Sequence, residues 1–139
     1  MIYFGETVMV CFLETVIRDG PAARLPIAFA ELKDWRCAII EARADLRLVD
    51  LRQEGMIRLG VPTDAVRASN QTLGRAWGAA FHEHEEEPDG ILYPSRLNGA
   101  GNLALFDRAM PSMGLVVADD LFVRPELPGI IDGLELSIA

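Results

Sequence analysis

The segment DGILYPSRLNGAGNLALF, residues 89–106, predicts two buried strands joined by a loop. Residues 91–93 and 103–106 are apolar runs of strand length, and the Asn and Gly residues between them are typical of a loop. The first run is followed by Ser95 and Arg96. Because rigid scaffolds present reactive groups at the ends of strands and in the loops that follow, Ser95 and Arg96 are candidate site residues.

Composition limits the class of protein before any motif is weighed. The chain has 139 residues, which suits one domain over residues 1–139 with a real core but is too short for two. Half of the residues are apolar, which argues against disorder. The net charge of −8 argues against a protein that binds nucleic acid by neutralising phosphates, but it leaves a small anionic ligand open.

Cysteine use and the N-terminus indicate a cytoplasmic protein. Cys11 and Cys37 lie in apolar segments without metal-ligand spacing, so we interpret them as core residues in a reducing compartment. No apolar run reaches the roughly 18 residues that cross a bilayer. The N-terminus has no basic region, and Glu6 and Glu14 follow early, so it is a poor signal peptide.

Apolar periodicity predicts helices and strands in mixed order. Helices are predicted over residues 7–19, where Gly20-Pro21 follows, around 29–32, over 50–59, and over 71–82 with Ser69 or Asn70 as the cap. Strands are predicted at residues 2–4, over 35–49 as two strands or one bent strand, and at 116–117 and 121–123 with a turn at Asp119-Asp120. Pro125 and Pro128 are expected to break the chain before its tail. Since strict βαβ alternation is absent, the predicted class is α+β.

Residues 82–87, His-Glu-His-Glu-Glu-Glu, form the most conspicuous polar cluster. Alternating histidines can share a metal ion when they lie on one face of a strand. This run instead follows a predicted helix and leads into Pro88-Asp89-Gly90, which is typical of a turn. We therefore predict a solvent-exposed acidic loop that binds no structural metal.

Glu14 is a carboxylate among apolar neighbours on a predicted helix. Its helical neighbours Val10, Cys11 and Ile17 are all apolar, which places the carboxylate at the edge of the buried stripe. A carboxylate at such a position is costly unless it is paired or used. A functional role and a salt bridge to Arg18, one turn further on, both stay open.

Ser95 and Tyr3 also have purely structural interpretations. Pro94 can end an edge strand, because proline donates no hydrogen bond to a ladder. No Gly-x-Ser-x-Gly elbow surrounds Ser95, and no histidine is placed to suggest a triad, so a serine nucleophile is not indicated. Tyr3 can equally be a core residue. The isolated residues therefore leave the function undecided.

Taken in order, several segments resemble the RES domain family, which is named for its arginine, glutamate and serine. The segment IYFGETVMVCFLETVIRDG resembles the family's tyrosine-bearing strand and the helix with the glutamate, and LRLVDL resembles its central strand. The segment NQTLGRAWGAAFHE resembles a later helix of the family, and DGILYPSRLNGAGNLALFDR resembles its serine-bearing hairpin. The resemblance runs from about residue 2 to residue 109.

The resemblance implies a fold similar to that of ADP-ribosyltransferases, with a mixed twisted sheet and flanking helices. It also implies a toxin of a bacterial toxin–antitoxin pair that consumes NAD, by hydrolysis, phosphorolysis or ADP-ribosyl transfer. NAD would be the substrate, without a further cofactor, and an Xre-like antitoxin would cover the active site. By position, Glu14 is the family's glutamate, Ser95 its serine, and Tyr3 the tyrosine that lines the nicotinamide pocket. Direct nucleic-acid and membrane contacts are not expected, and homo-oligomerisation stays open.

These implied roles fit the chemistry of the bond between nicotinamide and ribose. Nicotinamide leaves as a neutral base and needs no proton, whereas the oxocarbenium-like sugar needs stabilisation. Glu14 would stabilise that positive charge, Tyr3 would stack on the cationic ring, and Ser95 would orient the substrate by hydrogen bonding instead of attacking it. We expect Glu14, Ser95 and Tyr3 to face one cleft.

One family feature is not found in the sequence as given. The family's arginine precedes the tyrosine-bearing strand, whereas Met1 stands two residues before Tyr3. Because that arginine is expected to bind the anionic part of NAD, we expect weak NAD cleavage by the 139-residue chain unless Arg96 takes the role. The alternative function is a catalytically impaired remnant that serves only as an antitoxin-binding or interaction module.

Overall fold

The predicted hairpin is the centre of a four-stranded sheet in the computed structural model, which describes residues 1–18 and 26–139. The described chain divides into two units. The four-strand unit comprises residues 1–6 and 42–113, and the two-strand unit comprises residues 7–41 and 114–139.

The helices and strands of both units occur in mixed order along the chain. The strands are β1 (Ile2–Gly5), β2 (Arg36–Ala42), β3 (Leu48–Asp50), β4 (Gly90–Pro94), β5 (Gly101–Leu105) and β6 (Met113–Asp120). The α-helices are α1 (Val8–Phe12), α2 (Phe29–Lys33), α3 (Gly55–Leu59), α4 (Thr63–Arg67), α5 (Thr72–His82) and α6 (Leu127–Gly133). A π-helix (Leu13–Ile17) continues α1, and 3₁₀ helices cover Asp107–Ser112 and Leu121–Val123. This mixture confirms the predicted α+β class.

The four-strand unit is built on the sheet order β1-β5-β4-β3. β4 and β5 form the predicted antiparallel hairpin, with Tyr93 opposite Asn102, and β1 lies antiparallel to β5. β3 runs parallel to β4, with Val49 opposite Ile91. The sheet is therefore mixed, and the predicted strand at residues 2–4 is confirmed as one of its edges.

Apolar side chains join this sheet to the helices of the same unit. α5 contributes Trp77 and Phe81, as its helical spacing predicted, and the Asn70 side chain accepts a hydrogen bond from Thr72 N–H at 3.0 Å beside its start. The predicted helix at residues 50–59 is shorter than expected, because Asp50 still belongs to β3. The buried members of this core are Leu51, Met56, Val61, Ile91 and Phe106.

The two-strand unit pairs β2 with β6 and packs helices from both ends of the chain together. At one end of the strand pair, Leu121 N–H donates to Trp35 O at 2.9 Å. The tail is tied to the same unit, because Ile27 N–H donates to Ser137 O at 2.8 Å. The buried members of this core are Phe12, Ile27, Leu32, Leu121, Leu127 and Ile130. None of the helices in residues 1–18 and 26–139 has the length and hydropathy of a membrane span.

One strand prediction and one turn prediction in this unit are wrong. Residues 121–123 form a 3₁₀ helix, and Asp119-Asp120 continue β6 instead of forming a turn. The break expected at Pro125 and Pro128 is also wrong for the second proline, which lies in the first turn of α6. A proline is tolerated there because the first helical N–H groups have no intrahelical acceptor. The stop predicted at Gly20-Pro21 lies outside the described residues.

Candidate functional site

The four-strand unit gathers polar residues where its strands end. β3 and β4 are parallel, so their carboxyl ends meet at one edge of the sheet, and β1 ends at the same edge because it is antiparallel to β5. We call Glu6, Asp50, Arg52, Ser95 and Arg96 the strand-end edge, since each ends or follows β1, β3 or β4. Ligands of open sheets commonly bind outside the carboxyl ends of parallel strands.

Ser95 is buried at this edge and closes the loop between the two hairpin strands. Its side chain and backbone together are 3% exposed. Ser95 N–H donates to Ala100 O at 2.7 Å, and Gly99 N–H donates to Ser95 O at 2.9 Å. The Ser95 Oγ accepts a hydrogen bond from Leu97 N–H at 3.1 Å. The serine therefore fixes the loop that carries its neighbour Arg96, which is exposed.

Glu6 holds the start of β5 beside this loop. Glu6 N–H donates to Gly101 O at 2.9 Å, and Gly101 N–H donates back to Glu6 Oε2 at 3.1 Å. A Cβ added at Gly101 would lie 2.7 Å from the same Oε2, so the glycine allows this close approach. Sequence reasoning missed Glu6, because only the pairing of β1 with β5 brings it to the serine-bearing loop.

Asp50 and Arg52 form a bidentate ion pair at the end of β3. Arg52 Nε lies 2.9 Å from Asp50 Oδ1, and Arg52 Nη2 lies 2.8 Å from Asp50 Oδ2. The Arg52 backbone N–H also donates to Oδ1 at 3.0 Å. The hydrogen bonds from Arg52 hold the pKa of Asp50 below its usual value. Sequence reasoning missed both residues, although they directly follow the strand that was predicted to end at residue 49.

Glu14 lies in the two-strand unit, on a helix that changes its hydrogen-bond pattern. Thr7 Oγ1 caps α1 by accepting from Val10 N–H at 3.2 Å, and the chain continues from Leu13 as a π-helix. Arg18 N–H donates to Leu13 O at 2.7 Å, and the φ of 42° at Arg18 ends the helix. Glu14 is half-buried, as predicted for the edge of the apolar stripe. Single π-helical turns are rare and are frequent at functional sites.

Some of the predicted site residues lie together in the structure, and for others the predicted proximity is not tested. Ser95 and Arg96 share one loop. Tyr3 lies on the edge strand β1, where it is 64% exposed, so the alternative that it is a core residue is wrong. Its place in a nicotinamide pocket stays a prediction. Glu14 belongs to the other unit, so the prediction that it faces one cleft with Ser95 and Tyr3 also stays a prediction.

Residues 83–87 of the acidic run form the exposed loop that the sequence predicted, whereas the predicted exposure is wrong for His82, which is the last residue of α5 and is half-buried. His82 differs from them, because its ring packs edge-on against Phe106 and its Nε2 lies 3.1 Å from Asp107 Oδ1. This contact holds the pKa of Asp107 below its usual value. Residues 1–18 and 26–139 contain no group of three or more His, Cys, Asp or Glu side chains placed to hold a metal ion.

Cys11 and Cys37 form no disulfide and are half-buried, so the prediction that they are core residues is wrong in degree: they lie at the margin of the core. Cys37 packs against the core of the two-strand unit, and Cys11 belongs to helix α1 of the same unit. Burial raises the pKa of the Cys37 thiol, which lowers its reactivity at neutral pH.

Comparison with known proteins establishes the family. The RES domain matches residues 1–127, a region that contains Tyr3, Glu14, Ser95 and Arg96. The chain is 45% identical over 120 residues to a Sinorhizobium fredii protein named "Probable toxin y4kH", and this alignment covers 86% of the chain and 94% of that protein. No solved structure matches the chain. Together the family match and the relative show that this chain belongs to the RES domain family.

Proposed function

We propose that this chain is the toxin of a bacterial toxin–antitoxin pair and that it degrades NAD by cleaving the bond between nicotinamide and ribose. The observation that carries the proposal is the RES domain match over residues 1–127. The 45% identity to a probable toxin supports the toxin role. The glutamate and the serine for which the family is named correspond to Glu14 and Ser95.

Glu14 supplies the charge that the proposed reaction needs. As nicotinamide departs, positive charge develops on the ribose, and a carboxylate beside the ring stabilises it. The half-buried position of Glu14 supports this role, because its field is screened less than that of a carboxylate surrounded by water. The π-helix changes the direction in which residues 13–17 project relative to an α-helix, and this supports a special placement of the side chain.

Ser95, Tyr3 and Arg96 take binding roles in this proposal. Ser95 orients the substrate and its loop, and does not act as a nucleophile. Tyr3 offers an exposed aromatic face on which the cationic nicotinamide ring can stack. Arg96, on the exposed loop after β4, is the candidate that the sequence offers for attracting the anionic part of NAD.

The proposal extends to the fold and to the partner. We assign the α+β arrangement of mixed sheet and helices to the ADP-ribosyltransferase-like class, and we expect an Xre-like antitoxin to bind over the active site. NAD is the substrate and no other cofactor is required. The acceptor of the ADP-ribosyl group is water, phosphate or a protein side chain, and assays with and without phosphate distinguish the first two.

The test is nicotinamide release from NAD by the purified protein and by Glu14→Gln, which keeps the shape of the side chain but removes its charge. We expect the variant to lose activity on the order of 100-fold, because an electrostatic stabiliser of the transition state is removed. Glu31→Gln is the matched control, since Glu31 is an exposed carboxylate on α2 of the same unit. It should leave the rate unchanged.

A second readout is growth of a bacterial host that expresses each variant. Growth arrest by the wild type, relieved by Glu14→Gln and by an Xre-like antitoxin, supports the proposal. A folded wild type that neither releases nicotinamide nor arrests growth contradicts it. If that inactive protein still binds the antitoxin, the chain is the interaction module named above as the alternative.

A further inference from the structure

The Arg52 guanidinium has two edges with different surroundings. Asp50 occupies the edge formed by Nε and Nη2, through hydrogen bonds of 2.9 and 2.8 Å. A third bond of 3.0 Å joins the Arg52 backbone N–H to the same carboxylate. These bonds fix the plane of the guanidinium, so much of the rotamer entropy of a free arginine is already lost before any ligand arrives.

The second edge, formed by Nη1 and Nη2, presents donors without a protein acceptor. Within residues 1–18 and 26–139 no acceptor lies within hydrogen-bond distance of Nη1, and the Arg52 side chain is 41% exposed. Two parallel N–H groups on one edge of a guanidinium match two oxygens of a phosphate group. An arginine held in this way is therefore suited to bind an anion that approaches from solvent.

The position of Arg52 places this edge at the end of the sheet. Leu51 N–H donates to Leu92 O at 2.8 Å, so the chain leaves β3 alongside the end of β4, where the Ser95 loop begins. The hydrogen bonds to Asp50 raise the pKa of Arg52, and the nearby charge of Glu6 adds to this shift. The Glu6 Oε2 is itself occupied by Gly101 N–H at 3.1 Å.

We propose that Arg52 binds the pyrophosphate of a nicotinamide dinucleotide through its Nη1 and Nη2 edge, with Asp50 as the positioning residue. This inference rests on the proposed function for the identity of the ligand. It also differs from the sequence-based expectation, which named Arg96 as the substitute for the family's anion-binding arginine. Arg96 lies on an exposed loop, whereas the guanidinium of Arg52 is held by a carboxylate of its own strand.

The test is the binding of ADP-ribose, which carries the pyrophosphate but no nicotinamide, measured by calorimetry with the wild type and Arg52→Gln. We expect affinity to fall on the order of 10- to 100-fold, the range for loss of a charge-assisted hydrogen-bonded pair. Arg52→Lys keeps the positive charge but lacks the two parallel N–H donors of a guanidinium edge. Its ADP-ribose affinity should lie between those of the wild type and Arg52→Gln. Binding of adenosine, which has no phosphate, should be unchanged. Asp50→Asn should weaken ADP-ribose binding less than Arg52→Gln does, because the guanidinium remains but is no longer held.

Arg47→Gln is the matched control, because Arg47 precedes β3 at its other end and forms an exposed ion pair with Glu86 at 3.2 Å. It should leave ADP-ribose affinity unchanged. Each variant is checked for folding by circular dichroism, and the double variant Asp50→Asn/Arg52→Gln removes both charges together if Arg52→Gln alone unfolds.

The outcomes separate this inference from the proposed function. ADP-ribose binding that depends on Arg52, in a protein without nicotinamide release, supports the inference while the proposed catalysis fails. Nicotinamide release that depends on Glu14, with ADP-ribose affinity unaffected by Arg52→Gln, overturns the inference and leaves the function standing. A folded wild type that binds no ADP-ribose, or one whose affinity falls in Arg96→Gln but not in Arg52→Gln, also overturns it.

Discussion

Asp50 and Arg52 form an ion pair whose strength depends on pH. Hydrogen bonds from Arg52 lower the pKa of Asp50 below its ordinary 3.8, although partial desolvation opposes the shift. A lowered carboxyl pKa means that the pair stabilises the folded protein fully at pH values above 3.8. That contribution is lost as the pH falls below 3.8 and through the lower pKa of the folded state.

We therefore predict that Asp50→Asn lowers the free energy of unfolding at pH 7 by at most about 1 kcal/mol, because the pair is half-exposed and screened by solvent. The difference from wild type should shrink as the pH falls below about 4. Urea unfolding at several pH values measures it. Glu85→Gln removes the same charge from the exposed loop and should cause no such pH-dependent difference. A difference that persists at low pH would show that Asp50 acts by packing.

Gly90 and Gly129 differ in the space around them, and this determines how each element tolerates a larger residue. A Cβ at Gly90 would lie 2.5 Å from Ala104 O and 3.1 Å from Leu105 Cα, which are backbone atoms of the neighbouring strand β5. At Gly129, in α6, no described atom lies within 4 Å of such a Cβ. β4 is therefore closely packed at Gly90, whereas α6 has free space at Gly129.

We predict that Gly90→Ala destabilises the protein by about 2 kcal/mol or more, since the backbone of β5 cannot shift freely. Gly129→Ala is the paired control and should be neutral or stabilise by up to about 1 kcal/mol through helix propensity. Thermal unfolding of both variants measures the contrast. Equal effects at the two positions would contradict the strand packing described here.

The loop at residues 83–87 is exposed as predicted, but the absence of a bound metal remains to be tested. We predict that the purified protein contains no stoichiometric zinc by elemental analysis. The reason is that the Nε2 of His82 already contacts Asp107, while His84 lies in the exposed loop and its Nδ1 accepts from Glu86 N–H at 3.2 Å. Zinc that is lost in His82→Ala and His84→Ala would show that this loop is a metal site.

Elements with a strong local pattern are predicted correctly from the sequence. The hairpin β4-β5 and the helix α5 follow from apolar runs and helical spacing alone. α4 is missed because all of its residues are exposed or half-buried, so it has no apolar stripe to detect. The π-helix at Leu13–Ile17 is missed because apolar spacing does not distinguish backbone hydrogen bonds that span five residues from those that span four.

At the scale of the whole molecule, site residues next to a recognisable helix or strand can be predicted from the sequence. Site residues that come together only when distant strands pair cannot. Ser95 could be predicted as a site residue because it follows an apolar strand. Glu6 and Arg52 become part of the same edge only through β1 pairing with β5 and β3 pairing with β4. These pairings join residues more than forty positions apart, and local periodicity contains no information about them.

The division of the chain has a consequence for its synthesis on the ribosome. Residues 2–5 form a strand whose partner is residues 101–105, and the second unit combines residues 7–41 with residues 114–139. β1 therefore cannot pair with its partner strand until the ribosome has translated residues 101–105, and Glu14 is translated long before its own unit is complete. A nascent chain carries every proposed catalytic residue before it has the fold that would arrange them. If the proposed toxin function holds, translation leaves an interval in which an antitoxin can be supplied before the site forms.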